Sequence, residues 1–248
     1  MRLAHALLCV PFTCLVLACG KAPATRASNS DSAAAPATPA AGAAAAAPAD
    51  SSHAAANPDP DQSAGGSGVP AGFVGRTDEA GSSITDAKYT PAGGKSWDVR
   101  TGPAHILYSP AVSAHGHYTV EAKIDQVEAP HHPEAYGVFI GGQQLDGPGQ
   151  QYAYFLVRGD GKYAIKVRDS ADARTIVPFT ASPNVPTADA SGKASYALRI
   201  EVTGDRARFY VNDQPVATVP IANIPTAGIA GVRINHNLHV VVTPATVK

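Results

Sequence analysis

Cysteine is confined to positions 9, 14 and 19, so the chain has none over the remainder of its 248 residues. A domain downstream of residue 19 therefore forms no disulfide, and thiolate catalysis and cysteine-ligated zinc are excluded from it. Methionine occurs only as Met1 and tryptophan only as Trp97. The most apolar run, Leu3 to Leu17, is interrupted by His5, Pro11 and Thr13 and is short for a membrane span. An excess of one charge is missing too. Residues 73–248 carry 16 basic and 16 acidic side chains, so they lack the field that draws a protein onto nucleic acid, and no nucleic-acid partner is expected. A 3.6-residue apolar stripe is also absent, which leaves little room for amphipathic helix.

The N-terminus has its own pattern. Arg2 supplies one positive charge, an apolar h-region follows, and Leu15-Val-Leu-Ala-Cys19-Gly20 ends it with small residues on both sides of Cys19. This hexapeptide resembles the lipobox of bacterial lipoprotein precursors. The resemblance implies a signal peptide over 1–18, removed to leave an acylated (palmitate-bearing) Cys19 as the mature N-terminus, and a membrane partner reached through that lipid. It implies a cell-envelope location, in the outer membrane if the cell is Gram-negative, because Gly20 is not the acidic retention residue of inner-membrane lipoproteins.

From Gly20 to Gly72 the chain is built mostly from Ala, Pro, Ser, Gly, Asp and Asn, with Val69 its only large apolar residue. Such a composition builds no core, and prolines from Pro36 to Pro70 stop any long helix. Residues 19–72 are expected to form a disordered tether spanning about 40 Å as a coil.

Residues 73–248 read as one all-β domain. His117 to Asp125 alternates strictly, with Tyr118, Val120, Ala122 and Ile124 on one face. Tyr196 to Val202 repeats the pattern, and Gly204-Asp205 turns it into a second strand carrying Ala207, Phe209 and Val211. A further hairpin runs from Gln151 to Arg158, turns at Gly159-Asp160-Gly161, and returns from Lys162 to Arg168. Shorter candidates lie at 96–100, 104–108, 136–140, 175–179, 214–219, 228–234 and 238–242. About a dozen short strands separated by turn residues predict an antiparallel β-sandwich. The strand Tyr118–Asp125, the segment Tyr136-Gly-Val-Phe-Ile-Gly-Gly142, the strand Tyr154-Phe-Leu-Val157 and the ending Arg208-Phe-Tyr-Val-Asn-Asp-Gln-Pro-Val216 with Gly228-Ile-Ala-Gly-Val-Arg233 resemble the concanavalin A-like lectin and glucanase superfamily. Its laminin-G-type and 3-keto-disaccharide hydrolase-type jelly rolls end in the same way. The resemblance implies a jelly-roll fold with carbohydrate ligands.

Three constellations bear on chemistry. Family-16 glucanases place Glu-x-Asp-x-x-Glu on one strand face, but here Lys123 precedes Asp125 and Glu128 where the first acid belongs. A cation there favours ionised carboxylates over a protonated acid, so Glu121, Lys123 and Asp125 read as a solvated face. His115 and His117, with His131-His132-Pro-Glu134, contain zinc-type donors, but their spacing fits no established motif and they read as surface histidines, as do His236 and His239. The glycine-bent loop Gly141-Gly-Gln-Gln-Leu-Asp-Gly-Pro-Gly-Gln-Gln151 offers amides and a carboxylate of the kind that read sugar hydroxyls, with Tyr152, Tyr154 and Trp97 as stacking candidates. Arg158-Gly-Asp160 is explained by its turn.

The reading is a lipid-anchored envelope protein with a non-catalytic, glycan-binding sandwich and a polysaccharide partner. Its expected ligand surface is Gln143, Gln144, Asp146, Gln151, Arg233, Asn235 and His236, with no cofactor and no metal site. A glycoside hydrolase or lyase related to the 3-keto-disaccharide hydrolases, and a structural envelope protein, are the alternatives.

Overall fold

The structure is a computed structural model that describes residues 59–248. The expected signal peptide over 1–18, Cys19 and the expected tether as far as residue 58 lie outside the described residues. The strands follow in chain order as β1 (Val74–Thr77), β2 (Lys88–Pro91), β3 (Trp97–Arg100), β4 (His105–Ala114), β5 (Tyr118–Gln126), β6 (Ala135–Gln143), β7 (Gln151–Arg158) and β8 (Lys162–Asp169). The remainder are β9 (Asp172–Ala181), β10 (Ala194–Thr203), β11 (Arg206–Val211), β12 (Gln214–Pro220), β13 (Gly228–Ile234), β14 (His239–Val242) and β15 (Thr246–Val247). Helix among the described residues is limited to the 3-10 turns Ile84–Asp86 and Ile221–Asn223.

These strands form two sheets, one ordered β1-β4-β13-β6-β7-β8-β9 and the other β12-β11-β10-β5-β14-β3-β2, with β15 also pairing β5. Every pairing between named strands is antiparallel, as the sandwich expectation requires. The alternation in β5 and β10 sets their register: Tyr196 lies opposite Ile124, Leu198 opposite Ala122, Ile200 opposite Val120 and Val202 opposite Tyr118. All eight side chains are buried in the main core between the sheets. A slip of one residue would turn this whole set toward solvent. Phe209 continues the row from β11, and its ring lies 5.3 Å from that of Phe155 on β7, joining the sheets across the core.

The first sheet does not have one wet face. β6 reads buried from Ala135 to Gly142, and β7 from Tyr152 to Val157. Its outer side carries a second apolar cluster of Ile106, Tyr108, Ala135, Phe139, Leu145, Tyr152, Tyr154 and Leu156. Leu145 reaches that cluster from the loop after β6, which bends over the sheet at Gly141 (φ 66°). A Cβ at Gly141 would stand 2.3 Å from the carbonyl oxygen of Pro225, so the bend requires glycine.

The stretch 59–72, assigned to the tether by its composition, runs along the sandwich. Asn237 Nδ2 donates to Asp59 Oδ1 at 3.0 Å, the Gln62 amide donates to Asn237 Oδ1 at 2.9 Å, and the Ala64 amide donates to the Asp86 carbonyl at 2.8 Å. Val69 packs on the main core. A polar, glycine-rich segment has few apolar side chains to announce docking, and its backbone makes the contacts instead.

Candidate functional site

Arg233 stands near the end of β13 with its side chain on the outer side of the first sheet, 5 % exposed. Its guanidinium donates to Asp78 through both terminal nitrogens, at 2.7 and 2.5 Å, and to the Tyr152 hydroxyl at 3.3 Å. Arg168 reaches Asp78 from β8 at 3.0 Å. Burial alone would raise the Asp78 pKa, but the hydrogen bond and charge of Arg233, then those of Arg168, outweigh it and hold the carboxyl below its ordinary value. Burial opposes the charge on Arg233, and Asp78 overcomes that as well. The Tyr154 ring lies under the Arg233 guanidinium at 4.8 Å. Tyr152 and Tyr154 thus serve this network and the second core, and neither is free to stack on a sugar.

Asp78 and Glu79 form a wall shared by two clefts. One, of about 260 Å³, is lined by Asp61, Ser82, Glu134, Arg233, Asn235 and His236 in addition to that wall. The other, of about 690 Å³, lies between β1 and the loop after β6, where Tyr108, Leu145, Asp146 and Gln150 face it. Carboxylates, an amide, an imidazole and a hydroxyl lie in the first cleft; Val74, 37 % exposed, and the exposed Pro148 give the second an apolar surface beside its acid, whereas Tyr108 and Leu145 are buried.

The expected ligand surface is divided between these places. Arg233, Asn235 and His236 come together in the smaller cleft, and Asp146 lies in the larger. Gln143, Gln144 and Gln151 line neither. Arg233 pairs in register with Gly137, six residues from Gln143 along β6, which separates them by about 20 Å. Gln143 donates to the Ala227 carbonyl at 3.1 Å and Gln151 to Asp169 at 3.1 Å, while Gln144 is an exposed turn residue with φ 49°. Arg76 pins the loop by donating to the carbonyls of Leu145 and Gly147, each at 2.7 Å. The glutamine-rich loop is therefore chiefly a lid for the second core, with Asp146 its contribution to a cleft. Trp97 packs against the main core from the other sheet.

Below the smaller cleft, His105 is fully buried. Its Nδ1 lies 2.8 Å from the Pro103 carbonyl oxygen, which can only accept, so the proton sits on Nδ1. Nε2 then accepts from the Tyr89 hydroxyl at 2.5 Å. Burial pulls the His105 pKa from 6.5 to about 4, with Arg233 adding to the fall and the Pro103 hydrogen bond and Asp78 opposing it. Burial also pushes the Tyr89 phenol well above its usual range.

Asn235 and His236, following β13, meet the loop between β5 and β6. Asn235 Nδ2 donates to Glu134 Oε2 at 2.9 Å; His236 Nδ1 lies 3.0 Å from Asp61 Oδ1 and its Nε2 lies 3.1 Å from Glu134 Oε1. His132 contacts Asp59 and Glu134. Burial lowers the His236 pKa, but the charge of Glu134, hydrogen bonds to Asp61 and Glu134, and the charge of Asp59 raise it above the ordinary value. Sequence spacing suggested His115 and His117 as partners for the His131–Glu134 loop, but these precede β5 while that loop follows it. His117 accepts from the Gly204 amide at 3.1 Å instead. His239 pairs with Asp98 and Glu128, away from this group.

On the outer face of the second sheet Glu121 is paired with Lys248 at 2.5 Å and Asp125 with Lys123 at 2.9 Å, consistent with a solvated strand face. Arg158 and Asp160 close on one another at the β7–β8 turn, with Nε donating to Oδ1 at 3.0 Å, so neither end of the tripeptide is offered outward.

No family profile matches this chain, and no curated protein matches it. Among solved structures it is similar to the carbohydrate-binding module CBM66 from Bacillus subtilis, at 16% identity and TM-score 0.49 over 71% of this chain and 95% of that one. Sheep galectin-11 in complex with glycerol gives 17% identity and TM-score 0.42 over 55% of this chain and 93% of that one. The family 7 alginate lyase A1-II' in complex with product gives 13% identity and TM-score 0.41 over 65% of this chain and 77% of that one.

Proposed function

We propose that this chain is a lipid-anchored cell-envelope protein whose β-sandwich binds a glycan without cleaving it, in the two clefts that share Asp78 and Glu79. The observation that carries the reading is the lining of those clefts. Carboxylates and an amide accept and donate in pairs to vicinal hydroxyls, while the exposed Val74 and Pro148 supply the apolar surface that a pyranose ring covers. The buried Arg233–Asp78–Arg168 network supports them by holding the shared wall in place. Glu121 and Asp125, the acids of the glucanase-like stretch, pair with Lys248 and Lys123 on the outer face of the second sheet and line neither cleft, which favours recognition over glycosidic cleavage there. The lipobox at 15–20 supports the anchor.

The test begins with the full chain on an array of envelope and plant polysaccharide fragments, followed by calorimetric titration of the best oligosaccharide. Asp146→Ala and Glu79→Ala should each weaken binding about tenfold or more, the cost of a hydrogen bond to a charged group. Saccharide recovered after long incubation should be unshortened. Failure of every array glycan to bind, or wild-type affinity in both variants, overturns the reading, and shortened product overturns its non-catalytic part.

A further inference from the structure

Glycan binding does not account for one convergence at this end of the sandwich. Asp59, His132, Glu134 and His236 bring four ligand atoms within 4.8 Å of one another. They come from three distant parts of the chain: the start of the docked segment, the loop between β5 and β6, and the residues after β13. His236 Nε2 lies 3.1 Å from Glu134 Oε1 and 3.3 Å from Asp59 Oδ2, and His132 Nδ1 lies 3.3 Å from Glu134 Oε1. Donors around a tetrahedral zinc ion, bound at roughly 2.0–2.1 Å, are separated by about 3.3 Å.

Two residues outside the quartet orient it. Asp61 accepts at His236 Nδ1, 3.0 Å away, which places a proton there and directs Nε2 at two carboxylate oxygens. Asn235 holds Glu134 Oε2 and leaves Oε1 facing the imidazoles. Outer-shell partners of this kind fix the tautomer and aim the ligands at metal sites. An imidazole lone pair directed at two carboxylates is repulsive unless a second proton or a metal ion stands between them. Among the described residues, the ion-pair partners of Asp61 and Glu134 are imidazoles alone, and neither pairs with lysine or arginine.

The geometry points to a site for a divalent transition cation of the zinc class, ligated by Asp59, His132, Glu134 and His236. Two imidazoles and two carboxylates suit zinc, whereas calcium and magnesium prefer all-oxygen sites. Four protein ligands make the site a structural one. It clips Asp59 to the β5–β6 loop and the residues after β13. Cation binding then resists peeling of residues 59–64 from the domain. The assignment goes beyond the glycan reading, with two of its ligands, Glu134 and His236, also lining the smaller cleft, and its test is separate, since metal content is measured with no saccharide present.

The test uses the untagged full chain, stripped with EDTA, dialysed, and titrated with zinc chloride, with calcium chloride as a parallel arm. One equivalent of zinc should bind and survive desalting, while calcium should not. Cobalt(II) should give the intense visible bands of a tetrahedral site. Zinc should slow proteolysis within residues 59–64. Glu134→Gln and His132→Gln should weaken zinc binding at least about a hundredfold while circular dichroism stays that of the wild type, and His239→Gln should leave it unchanged. Substoichiometric zinc, an octahedral cobalt spectrum, or wild-type affinity in a folded Glu134→Gln or His132→Gln chain overturns the site. The wild-type stoichiometry and cobalt spectrum decide even if a variant fails to fold.

Discussion

Acidification should destabilise the sandwich through His105, and the size of the effect follows from its surroundings. The ring is fully buried, with Nδ1 protonated against the Pro103 carbonyl and Nε2 occupied by the Tyr89 hydroxyl, so a second proton has no solvent to reach and must break the Tyr89 bond. Its pKa falls from 6.5 in the open chain to about 4 in the folded one. Because the folded pKa is the lower, the unfolded state binds more protons between pH 6.5 and 4. Stability must therefore fall as the pH drops through that window and level off below it. At 1.36 kcal/mol per pKa unit the full loss is about 3 kcal/mol, of which about 2 kcal/mol falls between pH 7 and pH 5. Other groups titrate over the same range, so the measurement is a comparison. Urea unfolding of the wild type and of His105→Gln, at half-unit steps from pH 7.5 to 4, should give curves that converge by about 2 kcal/mol on going from pH 7 to 5. The glutamine amide still offers a donor to Pro103 and an acceptor to Tyr89 but takes up no proton. Parallel stability curves, or a His105 ring resonance that titrates near pH 6.5 by NMR, would refute the argument.

Three further outcomes are expected. Asp78→Asn leaves the buried Arg233 and Arg168 without a counter-charge and should cost about 3 kcal/mol, read as a lowered urea midpoint at unchanged m-value. Its stabilisation in the wild type is present above the ordinary carboxylate pKa of 3.8 and is lost as the pH falls below it through the depressed folded value, so the variant should lose less than the wild type there. Leu145→Ala opens the second core beneath the loop after β6 and should cost about 2–3 kcal/mol by the same assay, while Gln144→Ala at the exposed turn beside it should change stability by under about 0.5 kcal/mol. Cys19→Ser should move the protein from the membrane to the soluble fraction of fractionated cells, and an unchanged membrane fraction would remove the lipid anchor from the proposed function.

Strand alternation determined much of this molecule by itself. The pattern Tyr118, Val120, Ala122, Ile124 set against Tyr196, Leu198, Ile200, Val202 gives two half-buried strands and their register, because a period of two has one burial solution when one face meets a core. The strand bounds of β7 and β13 followed in the same way from their apolar runs and turn residues. β1 and β2 were not legible: four residues each, with Gly75, Arg76 and Thr77 or Lys88 and Pro91 among them, carry too little alternation to stand out.

The tertiary structure alone decided which polar residues meet. Arg233, Asn235 and His236 were identifiable as candidates, but their partners Asp78, Arg168, Asp61 and Glu134 are brought to them by the stacking of β1, β8 and β13 and by a segment whose composition reads as tether. Asp59-Pro60-Asp61 gave no signal beyond two acids near a proline, since a backbone-anchored segment needs no apolar period. The glutamine loop misled for the complementary reason: its amides are conspicuous in sequence, whereas the residue that fixes its position is Leu145, which fills the outer cluster of the first sheet. Periodicity records burial one strand at a time, and a site assembled from side chains 175 residues apart, as Asp61 and His236 are, exists only once the strands are paired.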